Sequence, residues 1–126
     1  MNTMNNDCRC GEFSFRDWIV DHHQWAGKTF GPGLRTAGIT KHIQKELKEI
    51  ESDPRDYLEW LDVMILALNG AMRITENPDL VIEGLVKKLA INKNRIWPDW
   101  QTLTDGDPIE HVRTTEESIA KANEIR

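Results

Sequence analysis

Residues Lys45–Asp62, KELKEIESDPRDYLEWLD, decide how the chain reads. They hold two acid-x-x-acid pairs, Glu46 with Glu49 and Glu59 with Asp62, separated by nine residues that include Ser52-Asp53-Pro54. Residues three apart on a helix share a face, so each pair aims two carboxylates in one direction. Asp53-Pro54 reads as an N-cap followed by proline at the first helical position, which ends one helix and starts the next. A hairpin of those two helices brings four carboxylates into one small volume. Like charges held that close are costly unless protonated or bound to cations. Oxygen ligands on rigid helices suit hard divalent ions, Mg²⁺ or Mn²⁺, with coordination places left for water and phosphate oxygens.

A plainer reading stands beside that one. With 29% charged residues, helical acids commonly form a solvated face, and Glu46 or Glu49 has Lys41, Lys45 and Lys48 nearby on the same helix. Favouring the metal site is the setting of Glu59 and Asp62. The expected core stripe of their helix is Leu58, Leu61, Ile65 and Leu68, and Val63-Met64-Ile65-Leu66 follows directly. An acid against such a stripe needs a partner.

Outward from this hairpin, period 3.6 dominates. A first helix is expected over about 13–28, with Ser14 as N-cap, Asp17 as its capping-box partner, and Trp18, Ile19, His22 and Trp25 on one side. Trp18 reads as core. FGPGLRT, residues 30–36, breaks it, and a second helix runs from about Ile39 to Ser52 on Ile39, Ile43, Leu47 and Ile50. The third, from Pro54 to about Ile74, is the most apolar. Asn77-Pro78 then caps a fourth with Val81, Ile82, Leu85, Val86 and Leu89 inward. No segment alternates like a strand. These features predict an all-α, four-helix bundle over residues 13–102. A tail of residues 1–12 precedes it; after Arg95 the chain turns irregular and Trp-rich in IWPDWQTLTDGDP, and a C-terminal extension over 103–126 follows, with a short helix from about Thr115 to Ile125 that has few apolar residues to dock it. A third helix apolar on several sides predicts self-association.

The 126 residues suffice for one domain, and a net charge of −5 with 39% hydrophobic residues places the chain among folded acidic proteins. Acidic balance argues against bulk nucleic-acid binding. No run is long enough for a membrane span and residues 1–10 lack a signal-peptide core, so a cytoplasmic location is expected. Cys8 and Cys10, in CRCG, are poorly spaced for a disulfide and lack further zinc ligands, and they read as free thiols.

Two other clusters can serve chemistry. Residues 87–95, KKLAINKNR, carry four basic residues and no acid. There Lys88, Asn92 and Arg95 share a face suited to phosphate oxygens, or form a solvated basic helix end favoured by the macrodipole. His22, Gln24, Trp25, Lys28 and Arg35 offer aromatic faces and hydrogen-bonding groups for a nucleobase, with Trp97 and Trp100 of Trp97-Pro98-Asp99-Trp100 either closing over a ligand or covering the bundle's end. No Glu-x-x-His occurs for a di-iron bundle, no Gly-x-Ser-x-Gly, and no Walker-type loop.

Glu46-x-x-Glu49 and Glu59-x-x-Asp62 across a helical hairpin resemble the signature of the all-α, MazG-like nucleoside triphosphate pyrophosphohydrolases. FSFRDWIVDHHQWAGKTFGPGLRTAGITKHIQKELKEIE, EWLDVMILALNGA and NKNRIWPDW resemble more closely the phage-associated dATP/dGTP diphosphohydrolases, including the MazZ enzymes, over residues 13–102. The resemblance implies hydrolysis of dGTP and dATP to the monophosphate and pyrophosphate, with Mg²⁺, or Mn²⁺ or Co²⁺ in its place, on Glu46, Glu49, Glu59 and Asp62. It implies a homodimer or homotetramer acting in the host cytoplasm, with dGMP feeding synthesis of 2-aminoadenine deoxynucleotides. Glu49 is the choice for the group that takes the proton from water. Lys45 stands where MazG proteins often have a further acid, which bears on how many ions bind. The alternatives are a MazG-like house-cleaning enzyme for pyrimidine or non-standard nucleotides, and a non-catalytic helical interaction module.

Overall fold

In the computed structural model, which describes residues 12–124, five α-helices and one 3₁₀ turn account for the regular structure. Among the described residues no strand forms, and Ile96 and Val112 make one isolated antiparallel bridge. The all-α expectation therefore holds. Cys8 and Cys10 lie outside the described residues, with nearly all of the 1–12 tail. The chain divides into two compact units, one ending at Gly84 and the other beginning at Leu85.

Local chemistry sets most helix ends in the first unit. Helix α1 (Phe15–Phe30) starts where Ser14 Oγ accepts from the Asp17 amide at 3.2 Å, and it stops at Gly31, whose φ of 88° only glycine adopts readily. Helix α2 (Thr36–Ser52) begins three residues earlier than expected, after Arg35 in the left-handed region. Helix α3 (Tyr57–Thr75) corrects the expected start at Pro54. Asp53 terminates α2, its amide bonded to the Glu49 carbonyl, and Asp56 caps α3 by accepting from the Leu58 amide at 3.1 Å. Asp53 and Pro54 thus form the turn, because three residues are needed to reverse the chain before a new cap can form. Helix α4 (Pro78–Asn94) starts as expected, with Asn77 Oδ1 accepting from the amides of Asp79 and Leu80.

The core of the first unit lies where α1, α3 and the start of α4 meet. Ile19, Leu68, Met72 and Val81 are buried there, with Phe15, Trp18, Ala71 and Ile82 packed against them. This corrects three expected stripes. Leu68 is buried, but Leu58 and Leu61, nearer the start of α3, are 55% and 42% exposed in the single chain. Leu85, Val86 and Leu89 of α4 and Leu47 of α2 are exposed as well. Periodicity marks these positions as apolar, yet α2 alone does not cover the first half of α3.

Arg73 is buried among the apolar residues of α3. Its Nη1 donates to the carbonyls of Gly31 and Gly33, both at 2.8 Å, its Nη2 to the Ala26 carbonyl at 3.3 Å, and its Nε to Asn69 Oδ1 at 2.9 Å. A guanidinium has five donors in a rigid fork and no acceptor, so one side chain satisfies the end of α1 and the Gly31–Gly33 turn together. Its charge also opposes the negative end of α1.

In the second unit, the Asn92 carbonyl near the end of α4 accepts from Trp97 Nε1 at 2.6 Å and from the Arg95 amide at 3.3 Å. The 3₁₀ turn spans Trp100–Thr102, and α5 (Thr115–Glu124) starts in a capping box of Thr114 and Glu117.

The two candidate caps of α3 are separable in solution. Asp56→Ala is expected to cost about 1 kcal/mol in chemical denaturation, as removal of a working N-cap does. Asp53→Ala should cost clearly less; equal losses would return the cap to Asp53.

Candidate active site

Helices α2 and α3 pack antiparallel, and this brings one oxygen from each of Glu46, Glu49 and Glu59 within 4.8 Å of one another. Glu46 is buried, and Oε2 of Glu46 and Oε2 of Glu59 are both shielded from solvent without a hydrogen-bond partner. Burial, reinforced by hydrogen bonding with Glu49 and Glu46 and by their negative charge, pushes Glu59 up to about 7. Glu49 moves the other way. Hydrogen bonding from Glu46, then from Glu59, holds its carboxyl below the usual range, with Lys45 and His42 adding positive potential. Between these two acids the proton therefore rests on Glu59 rather than on Glu49.

This donor set fits a hard divalent cation. Two oxygens across a Mg²⁺ or Mn²⁺ ion lie about 4 Å apart, so small side-chain adjustments close the cluster on an ion and give both orphaned oxygens a partner. Asp62, one turn beyond Glu59, is exposed and is not among the converging three. Nor is a lysine the partner of Glu46: its Oε1 lies 3.1 Å from His42 Nε2, one turn earlier on α2.

His42 also lines a cleft of about 380 Å³ in the first unit. Gly38 and Ile39 continue its wall along α2, Leu66, Asn69 and Arg73 form the α3 side, and Thr29, Phe30 and Arg35 close it from the α1–α2 turn. Ile39, Leu66 and Phe30 give apolar walls, while Arg35, Asn69 and Thr29 bring polar groups. A mostly apolar cleft with a few convergent polar groups is the usual form of a small-molecule site.

Of the residues expected to face a base, only Arg35 lines this cleft. His22 and Trp25 belong instead to an aromatic ladder along α1. Phe15, Trp18 and His22 stack in sequence, His22 and Trp25 lie 5.8 Å apart between ring centres, and Trp25 meets Phe30 edge-on at 5.4 Å. Burial, helped by His23 and Arg73, lowers the His22 pKa and keeps the ring neutral. The ladder therefore reaches the cleft through Phe30. Gln24 and Lys28 are exposed on α1. In the second unit, Lys88 is exposed, Asn92 Oδ1 accepts from Arg95 at 3.1 Å, and Trp97 lies edge-on to His111.

Sequence reading missed His42, Asn69 and Arg73. His42 had a signal, four residues before Glu46 on one helix. Asn69 and Arg73 stood out only as polar residues in an apolar helix, with nothing local to say what they bind.

Residues 18–118 match the family described as dATP/dGTP pyrophosphohydrolase. The chain belongs to this family. It is also 35% identical over 99 residues to the Eaa protein of Salmonella phage P22, a match that covers 79% of this chain and 30% of that protein. The chain thus spans about a third of the length of the curated relative it matches. No solved structure matches. Membership agrees with the resemblance carried by the paired acids, and the match takes in α2, α3 and the cleft between them. No helix among the described residues is long and apolar enough to cross a membrane.

The proton on Glu59 gives a pH dependence of definite sign. Folded, Glu59 keeps its proton to about pH 7; unfolded, it releases it near the ordinary glutamate value of 4.5. The folded state binds more protons between those values, so this contribution to stability is complete below about 4.5 and is lost as pH rises through 7. Thermal melts in chelator should show Tm falling across that window, less steeply in Glu59→Gln. A divalent ion displaces the same proton, so Mn²⁺ affinity by calorimetry should rise over the same range.

Proposed function

We propose that the chain hydrolyses dGTP and dATP between the α and β phosphates, releasing the nucleoside monophosphate and pyrophosphate. What supports this reading above all is the pair of buried, unpartnered oxygens on Glu46 and Glu59, beside a nucleotide-sized cleft in a member of the dATP/dGTP pyrophosphohydrolase family. Glu46, Glu49 and Glu59 hold Mg²⁺, with Mn²⁺ or Co²⁺ as substitutes, and Asp62 joins them as a fourth ligand. Bound there, such an ion neutralises phosphate charge and makes water more acidic.

The chain's own groups do the rest. His42 fixes Glu46 through its 3.1 Å contact. Glu49, whose carboxyl is held below the usual range and so is ionised, accepts the proton of the attacking water. The base enters the cleft between Phe30, Ile39 and Leu66, with Arg35 at the mouth and Trp25 supporting Phe30. Lys88, Asn92 and Arg95 supply the donor types suited to phosphate oxygens. The exposed Leu58, Leu61 and Met64 on α3 are covered by further copies of the chain, in a homodimer or homotetramer. We place the reaction in phage purine deoxynucleotide metabolism in the host cytoplasm, where the dGMP serves 2-aminoadenine nucleotide synthesis.

Product analysis with dGTP should give dGMP and pyrophosphate in equal amounts; orthophosphate as the first product would refute the bond assignment. Glu46→Gln, Glu49→Gln and Glu59→Gln should each lower kcat by about 100-fold or more while the helical circular dichroism is kept. Rates across all the deoxynucleotides should favour the two purines.

Gly38 tests the cleft itself. A Cβ at this helical position meets nothing within 4 Å, so Gly38→Phe fills the cleft without a backbone clash. It should raise KM for dGTP and dATP by about tenfold or more, a change of about 1.4 kcal/mol in affinity. Unchanged KM values would move the base elsewhere.

A further inference from the structure

Asn69 lines the cleft from α3 and is only 4% exposed. Its Oδ1 accepts from Arg73 Nε at 2.9 Å. An arginine has no acceptor, so this contact decides which end of the amide is which. The oxygen must face Arg73 and the amino group must face away. Arg73 cannot release it cheaply, because its remaining contacts hold the carbonyls of Ala26, Gly31 and Gly33. Asn69 therefore cannot flip. Its Nδ2 has no hydrogen-bond partner among the described residues, which leaves a deeply placed donor beside an open cleft. Nδ2 is not fully shielded from solvent, so a ligand acceptor entering the cleft can reach it and take the place of water.

We propose that Asn69 is a substrate-binding residue that donates from Nδ2 to a ring nitrogen of the purine, N7 or N3. This rests on the reading that the base occupies the cleft. Adenine and guanine differ in hydrogen-bonding sense at position 6, where one carries an amino group and the other a carbonyl, and at N1. A fixed donor aimed at either place accepts one purine and rejects the other. N7 and N3 are acceptors in both. A free asparagine amide pairs with adenine through both of its groups, reading N6 and N7 together. With Oδ1 held by Arg73, that bidentate mode is closed. Asn69 can then read only what the two purines share, which gives one site two substrates.

The experiment compares kcat/KM for dGTP, dATP and their 7-deaza and 3-deaza analogues in the wild-type chain, Asn69→Asp and Asn69→Ala. Asn69→Asp keeps an oxygen for Arg73 and removes the donor, so it separates recognition from folding, and thermal melts verify that it folds. In the wild-type chain one deaza series should lose about 10- to 100-fold, to a similar degree for both purines, as expected when a buried donor loses its acceptor. In Asn69→Asp and Asn69→Ala that penalty should shrink to about threefold or less, the coupling expected of two groups in contact. The proposal is overturned if the wild-type chain turns over both deaza series as fast as the parents, if only one purine shows the penalty, or if the penalty persists in both variants. Failure of the underlying reading looks different: Gly38→Phe would then leave every KM unchanged, whatever Asn69 does.

Discussion

The Arg73 guanidinium is the interaction on which the site depends. It is a buried charge with no carboxylate partner among the described residues, matched instead by three backbone carbonyls and one amide oxygen. Backbone carbonyls are acceptable partners because each is a strong dipole that would otherwise be left open at a helix end or turn. The result joins α3 to the end of α1 and to the Gly31–Gly33 turn. Phe30, Arg35 and the start of α2 follow from that turn, and so does the shape of the cleft. On the α3 side the same guanidinium sets the direction of Asn69.

The carboxylates impose the opposite requirement. Three acids whose oxygens approach within 4.8 Å do not stabilise the apo fold, and a proton held on Glu59 to about pH 7 is how the fold tolerates them. Their cost is local, since α2 and α3 meet along much of their length and the core of α1, α3 and α4 lies further along α3. Separating the strained acids from the apolar core lets one helix serve both. The first half of α3 carries the acids and the second half carries Leu68, Met72 and Arg73. The exposed Leu58 and Leu61 belong to the same half of α3 as Glu59.

His42 links the two requirements. It touches Glu46 and lines the cleft, so one ring joins the acids to the cleft. Family membership over residues 18–118 spans all of these elements.

Helix identities, the Ser14 and Asn77 caps, and the three converging acids were legible in the sequence because each depends on contacts within a turn or two of helix, or on one tight hairpin. Short windows contain that information. The shift of the α3 cap from Asp53 to Asp56 shows where such reading frays, since both residues are good caps and only the geometry of the reversal chooses between them. The exposure of Leu58 and Leu61 was decided by which helices lie over α3, and hydrophobic period carries no information about that. The role of Arg73 was least legible of all. Its backbone partners are 40 to 47 residues away and are carbonyls, which every residue possesses, so no side-chain pattern could announce them. Local periodicity determined the helices and the acids; long-range hydrogen bonds to the backbone decided the cleft and the direction in which Asn69 points.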